Sequence, residues 1–182
     1  QPLANSGFAR WAGACTGNFQ KNFGGFEYVV APSGSCVEHI REHVPMGATQ
    51  VLELCEFLID VLKIKELKAC FPHRVGYHVS CHGQRLLGLS SMSERVGEPF
   101  SKPLALLQMV EGIEVVTLER PDECCGFGGT FCVTEEAVSV KMGRDRLADD
   151  LAQGVTHLVG GDVSCLMHLE GILRRQGQSV EV

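Results

Sequence analysis

Short apolar runs alternate with longer amphipathic stretches along this chain, and the alternation predicts strands and helices in turn. Phe26 to Ala31 (FEYVVA) is a β-branched and aromatic run closed by Pro32, Ser33 and Gly34, the pattern of a buried strand ending in a turn. Cys36 follows that turn and begins a helix. Thr49 is placed to cap a helix with Val51, Leu52, Cys55, Leu58, Ile59 and Leu62 on one face. Val75 to Ser80 (VGYHVS) predicts a second strand running directly into Cys81. Leu104 to Val110 then predicts a helix and Ile113 to Leu118 a third strand. Thr134, followed by Glu135 and Glu136, predicts the start of a helix reaching about Gln153, with Val138, Met142, Leu147 and Leu151 as its apolar residues. Thr156 to Val159 reads as a fourth strand, and Leu166 to Arg175 as a last helix stopped by Gly177. Such an order implies an α/β fold of βαβ units with largely parallel sheets, whose strands end on a common rim.

Within that order a repeat is visible. Tyr28 to Cys36 (YVVAPSGSC) and His157 to Cys165 (HLVGGDVSC) share a buried strand, a turn of small residues and a terminal cysteine at the same offset. Two similar half-units are therefore expected, over residues 1–70 and 71–182. Cys165 follows Gly126 of the segment ECCGFGGTF by 39 residues, while Cys36 follows Gln1 by 35. The spacing predicts a matching Cys-Cys-Gly immediately ahead of Gln1.

Composition narrows the function. Hydrophobic residues at 45% and charged residues at 21% of 182 positions are those of an ordinary soluble globular protein. A net charge of −6 with scattered Lys and Arg argues against a nucleic-acid partner, which would require a basic stripe. The apolar stretch Val51 to Leu62 is broken by Glu53, Glu56 and Asp60, well short of the ~20 apolar residues of a transmembrane segment. No signal peptide is visible, and a cytoplasmic protein is expected. Nine cysteines, an odd number with two adjacent, fit intracellular thiols with a metal or redox task better than a disulfide framework.

Cys81, Cys124, Cys125 and Cys165 each fall at the end of a predicted strand or in the glycine-rich loop beyond one. Parallel α/β topology brings such positions together, and soft thiolates select zinc or iron–sulfur clusters over hard cations. Adjacent ligands are unusual at a single tetrahedral zinc, whose structural sites space their pairs by two to four residues, whereas a cluster can use neighbouring thiolates on different irons. Gly126, Gly128 and Gly129 would let the backbone approach a cluster and turn N–H groups toward its sulfides. Zinc and a thiol-redox role stay open beside the iron–sulfur reading.

Other residues read more plainly. Cys55, Cys15 and Cys70 are expected as small core hydrophobes. Cys132 is either a fifth ligand or part of a packed segment, and its neighbours Phe131 and Val133 point to packing. His82, beside Cys81, and His168, one helical turn after Cys165, are either partners of the metal group or histidines satisfied by backbone; either would be the general base if the chain oxidised substrate itself. Asp162, three residues before Cys165, is an oxygen ligand or the turn residue ahead of a helix. No G-x-G-x-x-G follows a first strand, and clustered cysteines exceed what one nucleophile needs.

With ECCGFGGTF, SCH at Ser80 to His82, DVSCLMH at Asp162 to His168 and PSGSC ending at Cys36, the chain resembles the CCG-domain (cysteine-rich domain) iron–sulfur family. It is most similar to the lactate-utilization branch, with the glycolate oxidase iron–sulfur subunit and heterodisulfide reductase as more distant relatives. The resemblance implies two repeats, each with a cluster site of the C…CCG…C kind. By position the second repeat's ligands are Cys81, Cys124, Cys125 and Cys165, and the first repeat retains Cys36. It also implies a 4Fe-4S cofactor and electron transfer in a complex oxidising L-lactate to pyruvate, with a second iron–sulfur protein and a third subunit as partners. The family's C-x-x-C ending is incomplete, because Ser33 and Asp162 stand at its earlier positions. The junction HVPMGATQ is shorter than the family's, which places a missing loop near Pro45 and Met46.

Overall fold

A computed structural model describes residues 2–182 and contains two parallel sheets, one of two strands and one of three. The chain opens with α1 (Pro2–Asn5) and α2 (Ala9–Phe23). Then β1 (Tyr28–Ala31), α3 (Gly34–His43) and β2 (Gln50–Glu53) form a βαβ unit, with Tyr28 opposite Gln50 and Ala31 opposite Glu53.

The strand β2 corrects the expected helix from Thr49. Val51, Leu52 and Glu53 are all buried in succession, which suits a strand covered on both faces and not the one-sided burial of a surface helix. Thr49 donates its hydroxyl to the Gly24 carbonyl at 3.2 Å instead of capping. The cap is Glu53, whose carboxylate accepts from Cys55 N at 2.6 Å and Glu56 N at 3.3 Å while Glu56 accepts from Glu53 N. Only then does α4 (Leu54–Glu56) begin, running into a wide π-type turn at Phe57–Val61 that carries Leu58 and Ile59.

The second sheet has β3 (Arg74–His78) at its centre, flanked by β4 (Glu114–Val115) and β5 (His157–Gly160), all parallel. Between β3 and β4 lie a π-type turn at His82–Leu86 and α5 (Lys102–Leu107); between β4 and β5 lie α6 (Phe131–Thr134) and α7 (Glu136–Ala152). A final helix, α8 (Val163–Arg175), follows β5. β4 is shorter than the predicted strand to Leu118, because Asp149 of α7 accepts from Glu119 N at 3.2 Å and Arg120 N at 2.9 Å and draws the chain off the sheet. Thr134 closes α6 and does not cap α7; its hydroxyl bonds back to the Thr130 carbonyl at 3.4 Å.

Two apolar cores result. Val37, Val44, Met46 and Val51 pack between α3 and the first sheet, while Leu147, Leu158, Leu169, Ile172 and Leu173 join Cys125 beneath the second. Where the two regions meet, Gly34 at the start of α3 lies so close to the turn after Cys81 that a Cβ there would stand 3.0 Å from Gly83 N. Among the described residues no helix is long and apolar enough to cross a membrane.

Candidate metal centre

Three chain segments deliver cysteines to one place. β3 runs out through Val79 and the buried Ser80 into Cys81. The loop after β4 carries Cys124, Cys125 and Gly126, and is tied down on both sides. Gln84, buried in the turn after Cys81, donates to Asp122 at 2.6 Å, and the Ser139 hydroxyl of α7 donates to the Gly126 carbonyl at 2.7 Å. Gly126 has φ 85°, and a Cβ on it would lie 2.5 Å from the Ser139 carbonyl oxygen, so both conformation and space require glycine. Cys165 is the third residue of α8, reached from β5 through Asp162.

The four thiols form a continuous series. Cys81 neighbours Cys124, Cys124 neighbours Cys125, and Cys125 neighbours Cys165. Contact with Cys124 and then burial push the Cys81 thiol up, and contact with Cys124 and Cys165 does the same to Cys125. The neighbouring thiols of Cys125 and Cys81 hold Cys124 down, and Cys125 and then His78 hold Cys165 down against its burial. Backbone N–H groups of Gly126 and Phe127 point at the Cys124 and Cys125 sulfurs, each at 3.4 Å. All nine cysteines are free, and such a soft-donor set fits zinc or an iron–sulfur cluster.

Cys36, the third residue of α3, is exposed and stands in its helix as Cys165 does in α8. Asp162 is a turn residue with a larger task than expected. It is 2% exposed, and its carboxylate accepts from Ser35 N at 3.1 Å and the Ser164 hydroxyl at 2.9 Å, with the hydroxyls of Ser33 and Ser80 at 3.4 Å. It thus caps α3 from across the molecule, and its oxygens are committed to donors. His168 is held by Ser139, its Nε2 3.4 Å from both the hydroxyl and the carbonyl, as expected of a histidine satisfied by backbone. The Cys132 thiol donates to the Gly129 carbonyl at 3.1 Å. His82 is half-buried in the turn after Cys81.

Cys55 is half-buried, and burial followed by the charge of Glu53 pushes its thiol up to about 12. Cys15 and Cys70 correct the expectation of core packing, since both are exposed. No residue of α2 between its ends is buried, and Cys70 sits in an edge bridge with Glu111.

One residue at the site escaped the sequence reading. His78, the last residue of β3, is 1% exposed, and one of its ring nitrogens lies within 4.8 Å of the Cys125 and Cys165 sulfurs. Its signal was a histidine inside an otherwise apolar strand run, where a polar side chain requires a reason.

Comparison with known proteins agrees with this architecture. Residues 75–170, which hold the second sheet and all four linked thiols, match the family described as the cysteine-rich domain (CCG). The chain is also similar along its whole length to proteins named lactate utilization protein A. It is 37% identical to that of Oceanobacillus iheyensis, 34% to that of Geobacillus kaustophilus and 35% to that of Exiguobacterium sp., covering 76%, 77% and 76% of those proteins. The chain belongs to the CCG cysteine-rich family and, within it, to the group of lactate utilization protein A.

Proposed function

We propose that this chain is an iron–sulfur electron-transfer subunit in lactate utilization, with a 4Fe-4S cluster held by Cys81, Cys124, Cys125 and Cys165. The observation that carries the reading is the unbroken series of four thiols from three chain segments, two of them already accepting backbone N–H bonds. A cluster bound there supplies one-electron transfer. The chain's own part is to hold four sulfurs on a fixed rim, to exclude water around Cys125, and to stabilise added negative charge through N–H groups.

The names of the relatives support lactate as the source of electrons. In this reading L-lactate is oxidised to pyruvate in a partner, and the chain works in the cytoplasm with a second iron–sulfur protein and a third subunit. The repeated strand, turn and cysteine support two CCG units, over residues 1–70 and 71–182, with Cys36 as the first unit's contribution to its own site. Glycolate as the 2-hydroxy acid belongs to the same class of reading.

A single zinc ion is the alternative, favoured by the compactness of His78, Cys125 and Cys165, whose ligand atoms lie within 4.8 Å of one another. Anaerobic purification followed by visible absorption and electron paramagnetic resonance separates the two. A brown protein whose absorbance bleaches on reduction, with a paramagnetic signal appearing, supports the cluster. A colourless zinc protein sinks it.

A further inference from the structure

Beneath the thiols runs a buried file of polar side chains. His78, Arg146 and Asp150 are 1%, 0% and 1% exposed. From α7, Arg146 donates its Nε–H to His78 Nδ1 at 3.3 Å and an Nη2–H to the Tyr77 carbonyl at 3.2 Å, while its Nη1 is 3.1 Å from Asp150 Oδ2. That last contact is an ion pair outside hydrogen-bond geometry. Gly76 on β3 makes room for the file, since a Cβ there would stand 2.2 Å from Asp150 Oδ1.

The chemistry of arginine fixes the histidine. A guanidinium has only N–H donors and does not deprotonate, so the nitrogen it faces must accept. His78 Nδ1 therefore carries the lone pair and Nε2 the proton. Nε2 is buried and has no hydrogen-bond partner, and one nitrogen of the ring lies within 4.8 Å of the sulfurs of Cys125 and Cys165. Ligation of a metal through Nε2 would move the proton to Nδ1, where it would meet the Arg146 N–H head on.

We propose that His78 is a positioned N–H donor to the Cys125 and Cys165 sulfurs, with its tautomer set by Arg146, and that it is not a metal ligand. The inference rests on the cluster reading for its effect, since an N–H···S bond draws density from the sulfur and favours the reduced cluster. Its tautomer rests on Arg146 alone. The expected contribution is about a tenfold shift in the ratio of reduced to oxidised protein, which is about 59 mV for one electron.

The full chain, purified anaerobically with ¹⁵N-labelled histidine, tests the tautomer directly. Imidazole nitrogen shifts should show His78 protonated at Nε2; protonation at Nδ1, or a metal bonded to Nε2, overturns the inference. This outcome stands whether or not iron is present, so a protein without iron would remove the cluster reading and leave the tautomer to be judged. The second arm compares His78→Gln, which keeps an N–H near the Nε2 position, with His78→Leu, which does not. Both should retain wild-type iron, with the midpoint potential lowered in His78→Leu and largely restored in His78→Gln. Iron lost from both variants to the extent seen in Cys165→Ser would make His78 a ligand, and an unchanged potential in His78→Leu would remove the donor role.

Discussion

The two corners that end in Cys36 and Cys165 are built alike and equipped differently. Each follows a parallel strand, turns through a residue of extended backbone (Ser33 at φ −130°, ψ 115°; Asp162 at φ −139°, ψ 106°) and places its cysteine third in a helix. Around Cys165 the fold adds the Cys124–Cys125 loop, Cys81 and a buried His78, whereas Cys36 faces solvent. Strand, turn and helix thus create a place for a cysteine, and the long connections on either side of β4 create a site.

The corners differ most in their arginines, one of which reaches under each. Arg146 is fully buried against Asp150, while Arg41 is partly exposed, donating to the Val51 carbonyl and to Glu56 at 2.7 Å each. Arg146→Leu leaves a buried carboxylate without its cation and should cost about 3–5 kcal/mol in urea unfolding. Arg41→Leu should cost about 1 kcal/mol. Equal losses would mean that the second corner is not organised around its buried file.

Glycines of the Cys-Cys-Gly loop extend the contrast. Gly126 and Gly129 both have positive φ, at 85° and 66°, but only at Gly126 would a Cβ collide with backbone, Gly129 having nothing within 4 Å. Both alanine variants should lose the ~1–2 kcal/mol of a left-handed residue. Gly126→Ala should lose a further ~1–3 kcal/mol through overpacking, measured as the difference in denaturant midpoint.

Asp162 links the corners, so Asp162→Ala should strip the acceptor from Ser35 N and the buried Ser80 and cost about 1–3 kcal/mol. Asp162→Asn, which keeps one acceptor oxygen, should cost less. The smallest effect is chemical. In the folded protein at pH 8, iodoacetamide should modify the exposed Cys15, Cys36 and Cys70 well before Cys55. With its thiol pushed up to about 12, Cys55 is only about 10⁻⁴ thiolate at that pH. Mass spectrometry of early time points gives the order.

Much of this was legible in the chain. The alternation of elements, the paired strand–turn–cysteine segments and the four cysteines of the second corner follow from spacing and composition. Helix α7 shows why the rest was not. Of the apolar residues the pattern picks out, Val138, Met142, Leu147 and Leu151, only Leu147 is fully buried and Val138 is 52% exposed, while the rest of the buried face is Ser139, Gly143, Arg146, Asp149 and Asp150. Those polar residues hold loops and a histidine in place, a requirement of the site that hydrophobic periodicity does not record. Residues 50–53 failed for a related reason. Val51 and Leu52 satisfy a helical pattern as well as a strand, and only pairing with β1 decides between them.

The function proposed for this chain depends on the second corner's holding an iron–sulfur cluster through Cys81, Cys124, Cys125 and Cys165. Iron and acid-labile sulfide, measured on the anaerobically purified chain beside Cys36→Ser and Cys125→Ser, decide the matter. Iron with matching sulfide is expected in the unaltered chain, with retention at the second corner in Cys36→Ser and loss in Cys125→Ser, the fold staying intact by circular dichroism. Zinc without sulfide, or iron unchanged in Cys125→Ser, would contradict it.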